Sequence, residues 1–213
     1  MKIKLAYPKI PDTLNCPLKQ CVAFEKYDGT NIHWTFVPEE GWQEYGTRRD
    51  RFWINTSGIA SFEQAHPELS GIHKLWDQDS KLENFLNSNP KYNTSKEIIV
   101  FTEYFGPNSF AGQHQPKDQM QLIILDIQVD DKIIPPEQLV EDFKQFNLAR
   151  VVFQGKFNGQ LFVDVRKGKY DVKEGIVVKG VVGKEVYMAK IKTQAYMDKL
   201  KTQFKDNWKE YWE

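Results

Sequence analysis

The chain has 213 residues, 40% of them hydrophobic and 14% aromatic, enough for one well-buried core and too few for two comfortable ones, so a single domain over 1–213 is expected. Its 29 basic and 29 acidic side chains give a formal net charge of +0, which excludes a protein coated in nonspecific nucleic-acid-binding charge and makes any polyanion contact local. The longest apolar runs, Leu122-Ile123-Ile124-Leu125 and Ile176-Val177-Val178, fall far short of the roughly 20 residues that span a bilayer, and the start MKIKLAYPK lacks a sustained apolar stretch with a cleavage site, so no secretory signal and a cytoplasmic, membrane-free protein are expected.

Along the chain, Val22-Ala23-Phe24-Glu25 reads as a strand that delivers Lys26, with Ile32 to Val37 alternating as its hairpin partner across an Asp28-Gly29 turn. Cys16 and Cys21, the only cysteines, do not match zinc spacing and read as structural thiols. Arg51 to Ile54 suggests another strand. Ile72, Leu75, Trp76, Leu82, Phe85 and Leu86 then recur at helical spacing until Asn89-Pro90. Glu97 to Phe105 is a strand closed by Gly106-Pro107; a polar loop from Asn108 to Lys117 leads to its expected partner, Gln121 to Val129. Pro135-Pro136 opens an amphipathic helix through Leu139, Val140, Phe143 and Phe146. Strands return at Glu174 to Lys179 and Val186 to Lys192, and a helical tail carries Tyr196, Leu200, Phe204, Trp208 and Trp212 as a stripe expected to dock on the core. Strands in hairpins rather than βαβ units imply an α+β fold of antiparallel sheets flanked by helices.

Five charged islands carry the chemistry: Lys26-Tyr27-Asp28-Gly29-Thr30-Asn31, Arg48 and Arg49 in GTRRD, Glu103 in FTEYFG, Glu174 and Lys179 in KEGIVVKG, and Lys190 and Lys192 in MAKIKT. A lysine attacks phosphorus only when neutral, and an unperturbed pKa of about 10.4 means that nearby positive charge or desolvation must remove its proton. Lys190 and Lys192 alternate around Ile191, so both ammoniums face one way and suit a phosphate. Glu174 and Lys179 lie an odd number of residues apart and face oppositely on a regular strand; sharing a site requires a bulge or a strand-end twist. Gly29 and Gly106 allow close backbone approach. Glu103 and Glu174 can accept ribose hydroxyls or hold a hydrated Mg²⁺.

The ordered islands resemble the covalent nucleotidyltransferases, the superfamily of ATP-dependent DNA and RNA ligases and mRNA capping guanylyltransferases. The resemblance spans Glu25 to Thr193, and the Gly-Thr-Asn after Lys26 is most similar to the RNA ligase 2 group. It implies an adenylyltransferase domain that uses ATP with Mg²⁺ or Mn²⁺ to adenylate Lys26, passes AMP to an RNA 5′-phosphate, and joins that end to a 3′-hydroxyl. By the same resemblance, Glu25 helps recognise adenine, Arg48 or Arg49 contacts the ribose or incoming phosphate, and Glu103 binds the ribose. Glu174 orients a metal-water shell, Lys190 and Lys192 bind the α-phosphate, and Asn31 supports the later steps on RNA. Where many relatives stack an aromatic on the base, this chain has Gln121-Leu122-Ile123-Ile124-Leu125-Asp126, so an aliphatic residue such as Leu122 is expected to cover the purine. The stretch after Lys192 is too short for the OB-fold or helical domain that relatives carry, so clamping is expected from the core, from a protein partner or from structured RNA. DNA ligase or guanylyltransferase chemistry, and a non-catalytic nucleotide or RNA-end sensor, are the alternatives.

Overall fold

The computed structural model describes residues 6–76 and 80–211. In chain order the regular elements are β1 (Gln20–Lys26), β2 (Thr30–Val37), β3 (Gly41–Thr47), β4 (Phe52–Trp53), α1 (Thr56–Ala65), α2 (Lys81–Ser88), β5 (Ile98–Phe105), β6 (Gln121–Val129), β7 (Lys132–Ile133), α3 (Pro136–Phe143), β8 (Val151–Lys156), α4 (Gly159–Arg166), β9 (Gly175–Val182), β10 (Glu185–Lys192) and α5 (Gln194–Phe204). All strand ladders are antiparallel, and the fold is the expected α+β class. The chain forms two compact units, each with its own sheet.

The six-stranded unit comprises residues 6–8, Gly29–Ile134 and Phe143–Leu148, with strand order β4-β3-β2-β5-β6-β7. Its central strands β2 and β5 are buried on both faces, one side largely apolar and the other carrying Asn31, His33, Thr35 and Glu103 among its side chains. On one face Trp34 stacks between Tyr45 and Trp76, at centroid distances of 5.2 and 4.5 Å, and α1 adds Phe62 against Tyr45. The indole N–H of Trp34 donates to Thr102 Oγ1 at 3.0 Å, so the buried ring keeps a polar partner. α1 starts where Asn55 Oδ1 accepts the Gly58 N–H at 2.9 Å. On the other face the ladder sets Asn31 beside Glu103 and His33 beside Phe101.

The four-stranded unit comprises Lys9–Asp28, Pro135–Asp142 and 149–211, with strand order β10-β9-β1-β8. Cys21 and Ala23 of β1, Ile176 and Val178 of β9, and Ala189 and Ile191 of β10 turn to one face and pack with Leu161 and Val165 of α4. Asn158 caps α4 by accepting the Leu161 N–H at 3.0 Å. Strict alternation sends the lysines of β9 and β10 to the opposite face.

Several expectations change. β1 and β2 are not a hairpin: β1 pairs with β8 and β9, whereas β2 pairs with β3 and β5. The reason is the backbone at Gly29, where a Cβ would stand 2.2 Å from Tyr104 O; the bend lies tight against β5 and feeds β2 into a different sheet. The expected helix through Ile72 and Leu86 is instead two short 3₁₀ turns, Pro67–Leu69 and Ile72–Leu75, followed by α2. The tail is helical to Phe204 and continues as 3₁₀ through Tyr211; Trp212 lies outside the described residues. Elements not anticipated are β3, α1, β7, β8 and α4.

Candidate active site

The register of the four-stranded sheet fixes the lysines. Lys26 of β1 pairs with Gly175 of β9, which pairs with Lys192 of β10; one row along, Phe24, Val177 and Lys190 line up; one row further, Val22, Lys179 and Met188. Lys26, Lys179, Lys190 and Lys192 therefore share a face, with Ile191 turned into the core behind them. The expected Lys190/Lys192 alternation holds. Lys179 is buried with its Nζ 4.5 Å from the centre of the Phe24 ring, a cation–π contact.

Glu174 joins this face because β9 begins only at Gly175. A Cβ at Gly175 would lie 2.0 Å from Ile191 O, so a side chain there would drive β10 away. The odd spacing of Glu174 and Lys179 is thus resolved at the strand end. Glu174 Oε2 accepts from Lys26 Nζ at 2.8 Å and its Oε1 lies 3.1 Å from Lys192 Nζ. Side-chain exposures are 20% for Lys26, 2% for Glu174 and 3% for Lys192, so only the first reaches solvent appreciably. Thr193 secures the same corner: its N–H donates to Glu174 O at 2.9 Å and its hydroxyl to Lys173 O at 3.0 Å. Burial pushes the Lys192 ammonium below its ordinary pKa; Glu174 opposes that shift and Lys26 adds to it. Lys192 thus stands near Lys26, with the Glu174 carboxylate between them holding Lys26 in an ion pair.

Glu25 lies on the opposite side of β1 from Lys26. Its carboxylate accepts from Arg150 Nε at 2.8 Å, while Arg150 Nη2 donates to Asp171 O at 2.8 Å and the Arg150 N–H to the Tyr27 hydroxyl at 3.3 Å. The Glu25 side chain is thereby committed to a structural clamp. Arg150 was not legible as part of it, because a lone arginine at a strand entry has no sequence signature.

In the six-stranded unit, buried Glu103 on β5 accepts the Gly29 N–H at 3.0 Å through Oε1. Asn31 Nδ2 donates to Thr102 O at 3.2 Å, and its buried Oδ1 has no hydrogen-bond partner among the described residues. The two arginines of GTRRD separate. Arg49 is exposed, whereas Arg48 is half-buried with its Nε shielded and without a hydrogen bond among the described residues. Tyr7 packs on Phe101 at 4.8 Å and donates a short hydrogen bond to Asp126. Burial, then Asp126, then Glu103 hold the Tyr7 hydroxyl well above its usual pKa, and Arg48 works against them. Arg48 and Glu103 thus act on the same hydroxyl with opposite sign. Leu122 pairs with Tyr104, and it is Ile123 that pairs with Glu103 and shares its face.

Among the described residues no group of three or more His, Cys, Asp or Glu could hold a metal ion. Cys16 and Cys21 are free thiols, and burial raises Cys21 to about 11, which makes it unreactive. No described helix is long and apolar enough to cross a membrane.

Comparison with known proteins adds the following. Residues 19–192 match the family described as RNA ligase. No curated protein matches the chain in sequence. Among solved structures, an archaeal ATP-dependent RNA ligase aligns with a TM-score of 0.56 at 18% identity, over 93% of this chain and 51% of its own. A variant of the Naegleria gruberi RNA ligase, solved with AMP and manganese, gives 0.60 at 14% identity, over 93% and 59%. A putative ATP-dependent DNA ligase from Aquifex aeolicus gives 0.58 at 17%, over 95% and 55%. The chain thus spans little more than half the length of these structural relatives.

Proposed function

Because the chain belongs to the RNA ligase family, we propose that it is an ATP-dependent RNA ligase that carries AMP on Lys26. In the first step Lys26 Nζ releases its ammonium proton to solvent, and the lone pair so freed forms a bond to the α-phosphorus of ATP as the bond from that phosphorus to the bridging oxygen breaks, releasing pyrophosphate. The RNA 5′-phosphate then displaces Lys26 and takes the AMP, and an RNA 3′-hydroxyl displaces AMP to form the phosphodiester.

One observation carries this reading: the Glu174 carboxylate is held between Lys26 and Lys192 on a face lined by four lysines. In this state Lys26 is an ion-paired donor and its lone pair is not available. An arriving phosphate gives Lys190 and Lys192 an anionic partner, and freeing the Lys26 lone pair requires that Lys26 part from Glu174 as well. Transfer at phosphorus depends mostly on positioning and charge neutralisation, which buried cations on a rigid strand supply.

The divalent ion seen with relatives fits this chain only as a hydrated one. Glu174 has both oxygens already facing ammoniums, which suits it to holding Mg²⁺ or Mn²⁺ through its water shell. Such an ion would add positive charge against the phosphate oxygens. On the resemblance, Glu103 is assigned the ribose, Asn31 the later RNA steps, and Arg48 rather than Arg49 the sugar or incoming phosphate. The adenine role of Glu25 falls to its main chain, the side chain being held by Arg150.

Incubation with α-labelled ATP and a divalent cation tests the reading: the protein should acquire acid-labile label, and Lys26→Ala should acquire none. Wild-type protein that stays unlabelled while ATP raises its melting temperature would make it a nucleotide sensor instead. Nicked duplexes with RNA or DNA at the 3′ side separate RNA ligase from DNA ligase activity.

A further inference from the structure

Outside the charged islands, the loop between β5 and β6 carries a histidine that touches the turn following Lys26. The loop is fixed from within. Gly106 and Ser109 are joined by Gly106 N–H to Ser109 Oγ at 2.8 Å and Ser109 N–H to Gly106 O at 3.0 Å; Phe110 and Gln113 exchange both backbone hydrogen bonds at 3.0 Å; Asn108 donates twice to Asp118 at 2.8 Å. From this frame His114 packs edge-on against Tyr104, with centroids 5.0 Å apart. Its Nδ1 lies 3.2 Å from Ser109 Oγ and its Nε2 2.8 Å from Thr30 Oγ1.

The proton assignment follows from the partners. Ser109 Oγ accepts the Gly106 N–H and keeps its own proton, which we assign as donated to Nδ1. The neutral ring then carries its hydrogen on Nε2, the tautomer free imidazole side chains favour, and donates it to Thr30 Oγ1. Burial keeps the ring below its ordinary pKa against the opposing carboxylates Glu68 and Asp118, so it is neutral at pH 7. Thr30 Oγ1 thus receives a hydrogen bond while its own proton has no acceptor among the described residues. Thr30 follows Gly29, whose N–H is held by Glu103.

Building on the ligase reading, we propose that His114 is a positioning residue that orients the Thr30 hydroxyl as a donor to a phosphate oxygen of the substrate, either of ATP or of the RNA 5′ end. The hydroxyl is presented without a rotational search, since one lone pair is already occupied.

Two measurements on the whole chain test this. Long-range proton–nitrogen correlation spectra of the histidine rings, assigned with His114→Gln, should show the Nε2–H tautomer for His114 and a change at Nε2 in Thr30→Val; an Nδ1–H ring overturns the proposal whether or not the protein has activity. Kinetically, Lys26 labelling reports the ATP source and sealing of pre-adenylylated RNA the RNA-end source. In one of these arms His114→Leu and Thr30→Val should each lower the rate at saturating substrate about tenfold, the scale of one hydrogen bond, with KM little changed. The double variant should fall no further, and His114→Gln, whose amide can still donate to Thr30, should recover most of the rate. Full rates for His114→Leu in both arms, or losses that multiply in the double variant, overturn the proposal. Failure of the ligase reading looks different: wild type itself would take no label, while the tautomer result would stand.

Discussion

At Glu174 a single carboxylate answers to two lysines, and the energetics of that corner depend on how little water reaches it. Lys192 and Glu174 are almost wholly covered; removing one member of a buried pair leaves the other charge uncompensated, at a cost of roughly 3–5 kcal/mol. Glu174→Gln is therefore expected to lower the urea midpoint strongly as well as to abolish labelling. Lys192→Met, which leaves Glu174 paired with partly solvated Lys26, should cost less stability while still blocking adenylation. Equal losses in the two variants would show that the corner does not behave as a shared ion pair. A second titration belongs to His33, fully buried and held near a pKa of about 4 by burial, with Arg51 adding to the effect and the Thr47 backbone and Asp50 opposing it. Its folded pKa is depressed, so the unfolded chain takes up the proton first. The stability present above pH 6.5 is lost as pH falls toward 4, by roughly 3 kcal/mol. Denaturant titrations at several pH values should show this slope in wild type and a flatter one in His33→Leu.

The strands β9 and β10 act as one element, with its working end set by Gly175 and Thr193. Gly175→Ala would place a methyl 2.0 Å from Ile191 O, parting the ladder at the row that aligns Lys26 with Lys192. Labelling should fall far more than for an alanine at the open Gly159, where a Cβ meets nothing. Thr193 caps α5 through the Tyr196 N–H at 3.1 Å while bonding the backbone on either side of the Lys173–Glu174 peptide. Thr193→Val is expected to cost about 1 kcal/mol as a lost cap and to slow adenylation beyond that stability loss, which single-turnover labelling would resolve. This level also shows what sequence reading can reach. The pairing of β5 with β6 and of β9 with β10 was legible from alternation and nearby turns, as was the common direction of Lys190 and Lys192. The partner of β1 was not: Asp28-Gly29 announces a bend, but nothing local says that the next strand joins another sheet. β8 and α4 are short with weak periodicity, and Arg150 acquires meaning only when β8 lies beside β1.

For the whole molecule, neither unit is a continuous piece of chain; the backbone passes between them five times. Cutting before Ala149 would leave β8, β9 and β10 without β1, which stands between β8 and β9, so the lysine face cannot be isolated by simple truncation. Charge is also balanced over the whole, with 29 basic and 29 acidic side chains. Affinity for nicked RNA should consequently respond weakly to salt, with a log–log slope of about −3 or shallower, as for a few phosphate contacts; a steep slope would reveal a basic tract that net charge conceals. The tryptophans are distributed quite differently. Trp34, Trp42, Trp53 and Trp76, four of the six in the chain, lie in the six-stranded unit, and Trp34 and Trp76 are stacked nearly parallel at 4.5 Å. Near-ultraviolet dichroism and emission excited at the red edge will be weighted toward that unit, with Trp208 reporting on the four-stranded one, so an optical melt and a chemical assay of Lys26 are different windows on the same chain.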